Sequence, residues 1–255
     1  MQVSWKWRCL LAAFSLLSMS SHVSADMIRL STQGDILGNV FVAQYEAGGG
    51  IRVSASDQFG EGSPVGADFW TATDNTGVRL DTALGTSEAS QTWSAGPNRF
   101  QSEARTTAYG EGIGTDFVQA DSTAIYLSIF RLTSPFDYIW NSVVDSVGHS
   151  IGPRSVAQAI LATPTERLIE SFSGLGAVAF TQSGTLAPGD YVIIGHSHTT
   201  ALAGPFFGHT FSSEGSNSFS IDLSLTPSAP IPEPATLMLF GTGAASLWWR
   251  RKRRI

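Results

Sequence analysis

The segment Val192 to Thr199 holds the densest set of groups able to do chemistry in this 255-residue chain. Gly195-His196-Ser197-His198-Thr199 comes close to the G-x-S-x-G turn, in which a sharp bend between strand and helix presents a serine nucleophile. Three departures count against that chemistry. Thr199 stands where the bend needs its final glycine, and Gly204-Pro205 interrupts the place where a helix should run. His209, Glu214 and Asp222 are all that remain before the Ser/Pro/Ala linker as base and acid partners. The same two histidines carry a second reading. On a strand, His196 and His198 point to one face, as two nitrogen ligands of a metal would, with His209 or Asp190 as candidates to complete the set. Partly exposed histidines on a wet strand face explain the pattern equally well.

Two further constellations are weaker. Asp74-Asn75-Thr76-Gly77, and Asp35 beside Gly34, offer oxygen ligands for calcium, yet neither follows the twelve-residue calcium loop, and Asp-Asn-x-Gly is first of all a turn. Trp93, in Gln91-Thr92-Trp93-Ser94-Ala95-Gly96-Pro97, stands beside a turn signal, where an exposed ring would stack on a sugar. Burial between sheets is the favoured alternative for Trp93, and Trp70 and Trp140 read as core. Thr71-Ala72-Thr73 is too short a threonine row to build an ordered hydroxyl lattice.

The elements that must position these residues show a period of two. Ile51, Val53 and Ala55 alternate with polar residues, and Phe219, Ile221, Leu223 and Leu225 alternate with Ser220, Asp222, Ser224 and Thr226. Ala124 to Leu132 is apolar on both faces, the pattern of a central strand buried between layers. Further strands are expected at Asn39–Ala47, Ala67–Thr73, Arg99–Tyr109 and Tyr191–Ile194, separated by Gly48–Gly50, Gly60–Gly66, Gly110–Gly114 and Pro188-Gly189. Many short strands with such turns predict an all-β, jelly-roll-like sandwich. One helical insertion is expected between Ser155 and Phe172, because Thr163-Pro164-Thr165-Glu166 has capping-box spacing with proline at the first helical position.

The two ends read as addresses. In residues 1–25, Lys6 and Arg8 precede an apolar run, Cys9 to Met19, and Val23-Ser24-Ala25 closes with small residues. This is the composition of a secretory signal peptide cleaved after Ala25, which implies the Sec translocation machinery as a partner. At 1.5 Å per residue the run spans roughly 16 Å, short of the ~30 Å hydrocarbon core. Residues 26–228 form the expected extracytoplasmic domain. It has no cysteine, which excludes disulfides, thiolate metal sites and a cysteine nucleophile. Eight arginines against 20 acidic residues leave it a formal charge of −12, unsuited to nucleic acid.

Residues 229–255 complete the chain. Pro232-Glu233-Pro234 is kept extended by its prolines, Ala235 to Trp249 is apolar, and Arg250, Arg251, Lys252, Arg253 and Arg254 follow. The apolar stretch would reach roughly 22 Å as a helix, extended by snorkelling arginines, with the basic block held in the cytoplasm. This order of parts resembles the PEP-CTERM sorting signal of Gram-negative bacteria. The resemblance implies recognition at the Pro-Glu-Pro motif by exosortase, a membrane cysteine transpeptidase of organisms that make extracellular polysaccharide. The expectation is therefore an exported, non-enzymatic protein without cofactor. It would be anchored transiently in the inner membrane through a short transmembrane helix and then placed at the cell surface or in the exopolysaccharide matrix, with weak carbohydrate affinity. The alternative is a secreted hydrolase or metal-dependent enzyme using the His196/His198 region.

Overall fold

The computed structural model describes residues 26–46, 50–64, 66–149, 155–204 and 211–228, without the side chains of 149 and 211. Twelve strands follow one another with no helix among the described residues. They are β1 (Met27–Tyr45), β2 (Ile51–Gly62), β3 (Phe69–Leu80), β4 (Ala83–Ala95), β5 (Arg99–Gly112) and β6 (Asp116–Leu132). After them come β7 (Phe136–His149), β8 (Val156–Ala162), β9 (Arg167–Ser173), β10 (Gly176–Leu186), β11 (Gly189–Ala203) and β12 (Phe211–Pro227).

They form two six-stranded antiparallel sheets. Sheet A runs β2-β1-β6-β11-β8-β9 and sheet B runs β10-β7-β12-β5-β4-β3. The last eight strands pair in nested order, β8 with β9, β7 with β10, β6 with β11 and β5 with β12. Successive pairs fall in opposite sheets, which is a long hairpin rolled into a jelly roll. The first four strands widen it: β1 and β2 extend sheet A beside β6, and β3 and β4 extend sheet B beside β5.

The period-two pattern explains which residues meet between the sheets. Phe219, Ile221, Leu223 and Leu225 of β12 are all buried, while Ser220, Asp222 and Ser224 between them stay half-exposed. Phe100 of sheet B stacks on Phe130 of sheet A at 4.9 Å, and Phe130 on Tyr191 at 5.4 Å. Trp93 and Trp140 join this aromatic cluster. Burial of each large apolar side chain contributes about 1.5–3 kcal/mol, which suffices without disulfides. A second cluster, Val40, Val42, Val78, Ala108, Val118 and Ala201, closes the other end with smaller side chains.

Both limits of the folded domain lie at the aromatic end. The Asp26 N–H donates to Thr133 Oγ1 (3.0 Å), and the Ser228 N–H donates to the Pro135 carbonyl (3.1 Å), so chain entry and exit flank the same β6–β7 turn.

Four expectations need correction. The helical insertion is absent: Thr163-Pro164-Thr165-Glu166 is the turn of the β8–β9 hairpin. Thr163 Oγ1 does accept the Glu166 N–H (3.0 Å), as a cap would, but the Thr163 N–H donates to the Glu166 carbonyl (2.8 Å) and closes the hairpin. After the turn Ile169, Ser171 and Ser173 face inward with a period of two. The Asp74-Asn75-Thr76-Gly77 turn is likewise absent, for these residues lie within β3, paired with Ser87 to Ala89 and Thr86 of β4. Strand β6 is central but not sandwiched on both sides: Ile125, Leu127 and Ile129 face outward and are half-exposed. Ile51 and Val53 belong to an edge strand and are exposed. Residues 1–25 and 229–255 lie outside the described residues, and with them the signal peptide and the apolar stretch Ala235 to Trp249. Among the described residues no helix is long and apolar enough to cross a membrane.

Candidate functional site

Strand β11 places its chemistry on two opposite faces of sheet A. Ser197 and Thr199 point inward and are buried, while His196, His198 and Thr200 point outward and are half-buried. Ser197 is thus no elbow nucleophile. Its hydroxyl lies 2.7 Å from Thr106 Oγ1 of β5, which is also 2.8 Å from Thr199 Oγ1. The Asn217 side-chain amide donates to Thr199 Oγ1 (2.7 Å), so four polar side chains from both sheets are linked in the interior, with Asn217 Oδ1 alone of their atoms left without a partner among the described residues.

The outer face carries a hydrogen-bonded string. Gln119 donates to Asp121 Oδ2 (2.7 Å) and the Thr200 hydroxyl donates to Asp121 Oδ1 (2.7 Å). A hydroxyl has one proton, so at Thr200 Oγ1 the contact with His198 Nε2 (3.0 Å) must be donated by the imidazole. Nδ1 of the neutral ring then accepts from the Thr123 hydroxyl (2.9 Å). Both ring nitrogens are thus engaged by hydroxyls, and the single lone pair of this tautomer, on Nδ1, is taken by Thr123. The His196 ring lies nearly parallel to that of His198, 8° between planes and 6.3 Å between centroids. Burial, and secondarily His198, holds its pKa below the ordinary histidine value.

Asp190, one of the two proposed third ligands, does not join them. Asp190 lies six residues before His196, roughly 20 Å along the strand. It is held by Arg131 through Nε (2.6 Å) and Nη2 (2.9 Å), which keeps its carboxyl below the usual carboxylate range. His209 and the side chain of His149 lie outside the described residues. Among the described residues no group of three His, Cys, Asp or Glu side chains is placed to hold a metal. The candidate calcium ligands accept from their own chain neighbours. Asp74 Oδ1 accepts the Asn75 N–H (2.8 Å), and Asp35 Oδ2 accepts from Gln33 (2.8 Å).

Trp93 is no sugar platform. It is 1% exposed and packs against Tyr126 across the sheets, ring centroids 6.1 Å apart. Gly34 makes room for it: a Cβ there would fall 2.6 Å from the indole nitrogen and 2.9 Å from Gln91 Oε1. Burial also raises the Tyr126 phenol above its ordinary pKa. Trp70 and Trp140 are core, as expected.

The structure shows two surface features that the sequence alone did not point out. A crevice of about 530 Å³ opens between the β4–β5 turn and the start of β1, but its charged groups are occupied. Arg29 binds Asp68 and the Ala95 carbonyl, and Arg99 binds Asp222. The outer face of sheet B holds a depression of about 450 Å³, walled by Ser90, Thr92, Glu103, Arg105, Ser218 and Ser220. A smaller hollow of about 150 Å³ continues it past Arg105 to Glu88 and Thr107. Register makes this groove: Arg105 of β5 stands between Ser218 of β12 and Ser90 of β4, and Glu103 between Ser220 and Thr92. Arg29, Arg99, Arg131 and Arg167 form ion pairs, whereas Arg105 has no ion pair among the described residues. The alternation that buries one side of each strand makes the other a hydroxyl-rich sheet face, but the sequence does not show which strands adjoin.

No curated protein matches the chain. Residues 230–254 match the family described as the PEP-CTERM protein-sorting motif. The chain therefore carries a PEP-CTERM sorting signal, which implies an exported protein sorted to the cell surface by exosortase.

Proposed function

We propose that this chain is a non-catalytic, exported component of the cell surface or exopolysaccharide matrix, and that the groove on sheet B contacts polysaccharide. The sorting motif at residues 230–254 carries the reading. Secretion leads through transient anchoring of Ala235 to Trp249 in the inner membrane to processing beside Pro232-Glu233-Pro234. The chemistry of the groove agrees with a sugar ligand. A guanidinium donates to hydroxyl oxygens, a carboxylate accepts from hydroxyl protons, and serine and threonine do either. With a domain charge of −12, an acidic polymer is repelled at low salt, so the ligand is a neutral glycan. The catalytic alternative loses support from the engaged nitrogens of His198 and from Ser197 on the opposite face of the sheet.

Two measurements test the two parts. Mass spectrometry of the protein from its own host should show new ends near Asp26 and before the apolar tail. Replacing Pro232, Glu233 and Pro234 by alanine should leave the tail attached, and normal processing of that variant would defeat the sorting assignment. Arg105→Ala and Glu103→Ala should each weaken retention on the host's neutral exopolysaccharide at least several-fold with unchanged thermal unfolding. Unaltered retention would remove the groove from the reading while leaving export untouched.

A further inference from the structure

The four sheet edges are not alike. β2 carries Arg52, Asp57 and Glu61, β3 carries Asp74 and Arg79, and β9 carries Arg167 and Glu170. Charges of both signs on an edge are a usual guard against unplanned strand pairing. β10, Gly-Ala-Val-Ala-Phe-Thr-Gln-Ser-Gly-Thr-Leu, has no charge and no proline, and its register with β7 runs without a bulge. No charged residue occurs from Ser171 to Gly189, although the domain around it is strongly acidic. The strand is also open on both faces. Val178 is 40% and Phe180 38% exposed, and Leu175, just before it, is 79% exposed. Its polar side chains turn back to β7, Thr181 to Asn141, Gln182 to Tyr138 and Thr185 to Asp137. Among the described residues no strand pairs with the outer edge of β10.

We propose that β10 is an assembly edge that pairs antiparallel with β10 of a second copy of this chain, joining two B sheets into one continuous sheet. Self-pairing about a two-fold axis sets like residues against like. An uncharged strand does this without repulsion, which is the reason to choose a second copy over a foreign peptide. The overall charge does not forbid it. The nearest acids, Asp137 and Asp145, lie one strand inward on β7, so the two copies' acids stand three strand spacings apart, roughly 14 Å. That exceeds the ~8 Å Debye length at about 0.15 M salt but not the ~30 Å at about 0.01 M. The chain leaves through β12, two strands from this edge, so the tail does not obstruct it. The inference is independent of the groove and of the processing step.

Sedimentation velocity on the exported protein, purified after processing, tests it. At about 0.15 M salt the expected mass is twice the monomer, falling toward the monomer at about 0.01 M. Ala179→Lys with Thr181→Lys places charges on exposed edge positions and should give a monomer with unchanged thermal unfolding. Thr73→Lys on the β3 edge should leave the dimer intact. A monomeric wild-type protein at every salt concentration overturns the proposal, as does a dimer that survives the β10 lysines.

Discussion

Replacing Gly195 by alanine is the most direct probe of how β11 is used. Gly195 faces inward from sheet A, and a Cβ there would fall 2.3 Å from Phe219 Cε2, a ring carbon of sheet B. Phe219 is 2% exposed and cannot swing into solvent. Overpacking of this kind costs about 1–3 kcal/mol. For a domain of this length that lowers the unfolding midpoint by roughly 2–12 °C. Phe219→Ala alone should cost about 3–5 kcal/mol through lost burial and the cavity left behind. If the ring is what Gly195 avoids, the double variant should be no less stable than Phe219→Ala, because the new methyl group enters the space the ring vacates. The coupling energy then equals about 1–3 kcal/mol and favours the pair. Denaturant titration of the four proteins gives all the values. Additivity within about 0.5 kcal/mol would refute the reasoning. It would mean that Gly195 is needed for a backbone bend, which removing Phe219 cannot relieve.

Two other expectations concern the same strand. The unfolded chain protonates His196 as pH falls through about 6.5, whereas the folded protein, with its pKa held lower by burial and by His198, resists. Below that pH the unfolded state binds more protons and stability declines until the folded pKa is passed; His196→Gln should flatten this slope in denaturant titrations across pH, and an unchanged slope would remove His196 as its source. Thr106→Val, isosteric but without its hydroxyl, should cost about 1–3 kcal/mol by leaving Ser197 buried and unpartnered. Adding Ser197→Ala should restore most of that in the same titration.

The alternating runs are legible where a strand has one buried and one wet face: Phe219 to Leu225 read correctly residue by residue, whereas Ile51 and Val53 alternate in the same way on an edge strand exposed on both faces. Thr163 to Glu166 misled because one local bond, threonine hydroxyl to the N–H three residues on, serves a helix start and a four-residue hairpin turn equally. The outcome was decided by tertiary pairing of β8 with β9. Asp74-Asn75 read as a turn by local preference, but β4 supplies a partner for every residue from Phe69 to Leu80. Of the site, the shared outward face of His196 and His198 followed from spacing alone. The Thr123 partner of His198 did not, because it comes from a strand 75 residues away. The groove around Arg105 required the order β12-β5-β4, and the unguarded β10 required knowing which strands are edges. Both are properties of topology that no short window of sequence contains.

The exit at Ser228 has a mechanical consequence. The strand that ends there, β12, lies in the interior of sheet B and is bonded along nearly its whole length to β5 on one side and β7 on the other. Tension applied through the C-terminus therefore pulls β12 lengthwise, and its two ladders of hydrogen bonds resist together in shear instead of opening one at a time. A body held at a bacterial surface by this end would bear drag from flowing water on its most firmly fixed strand.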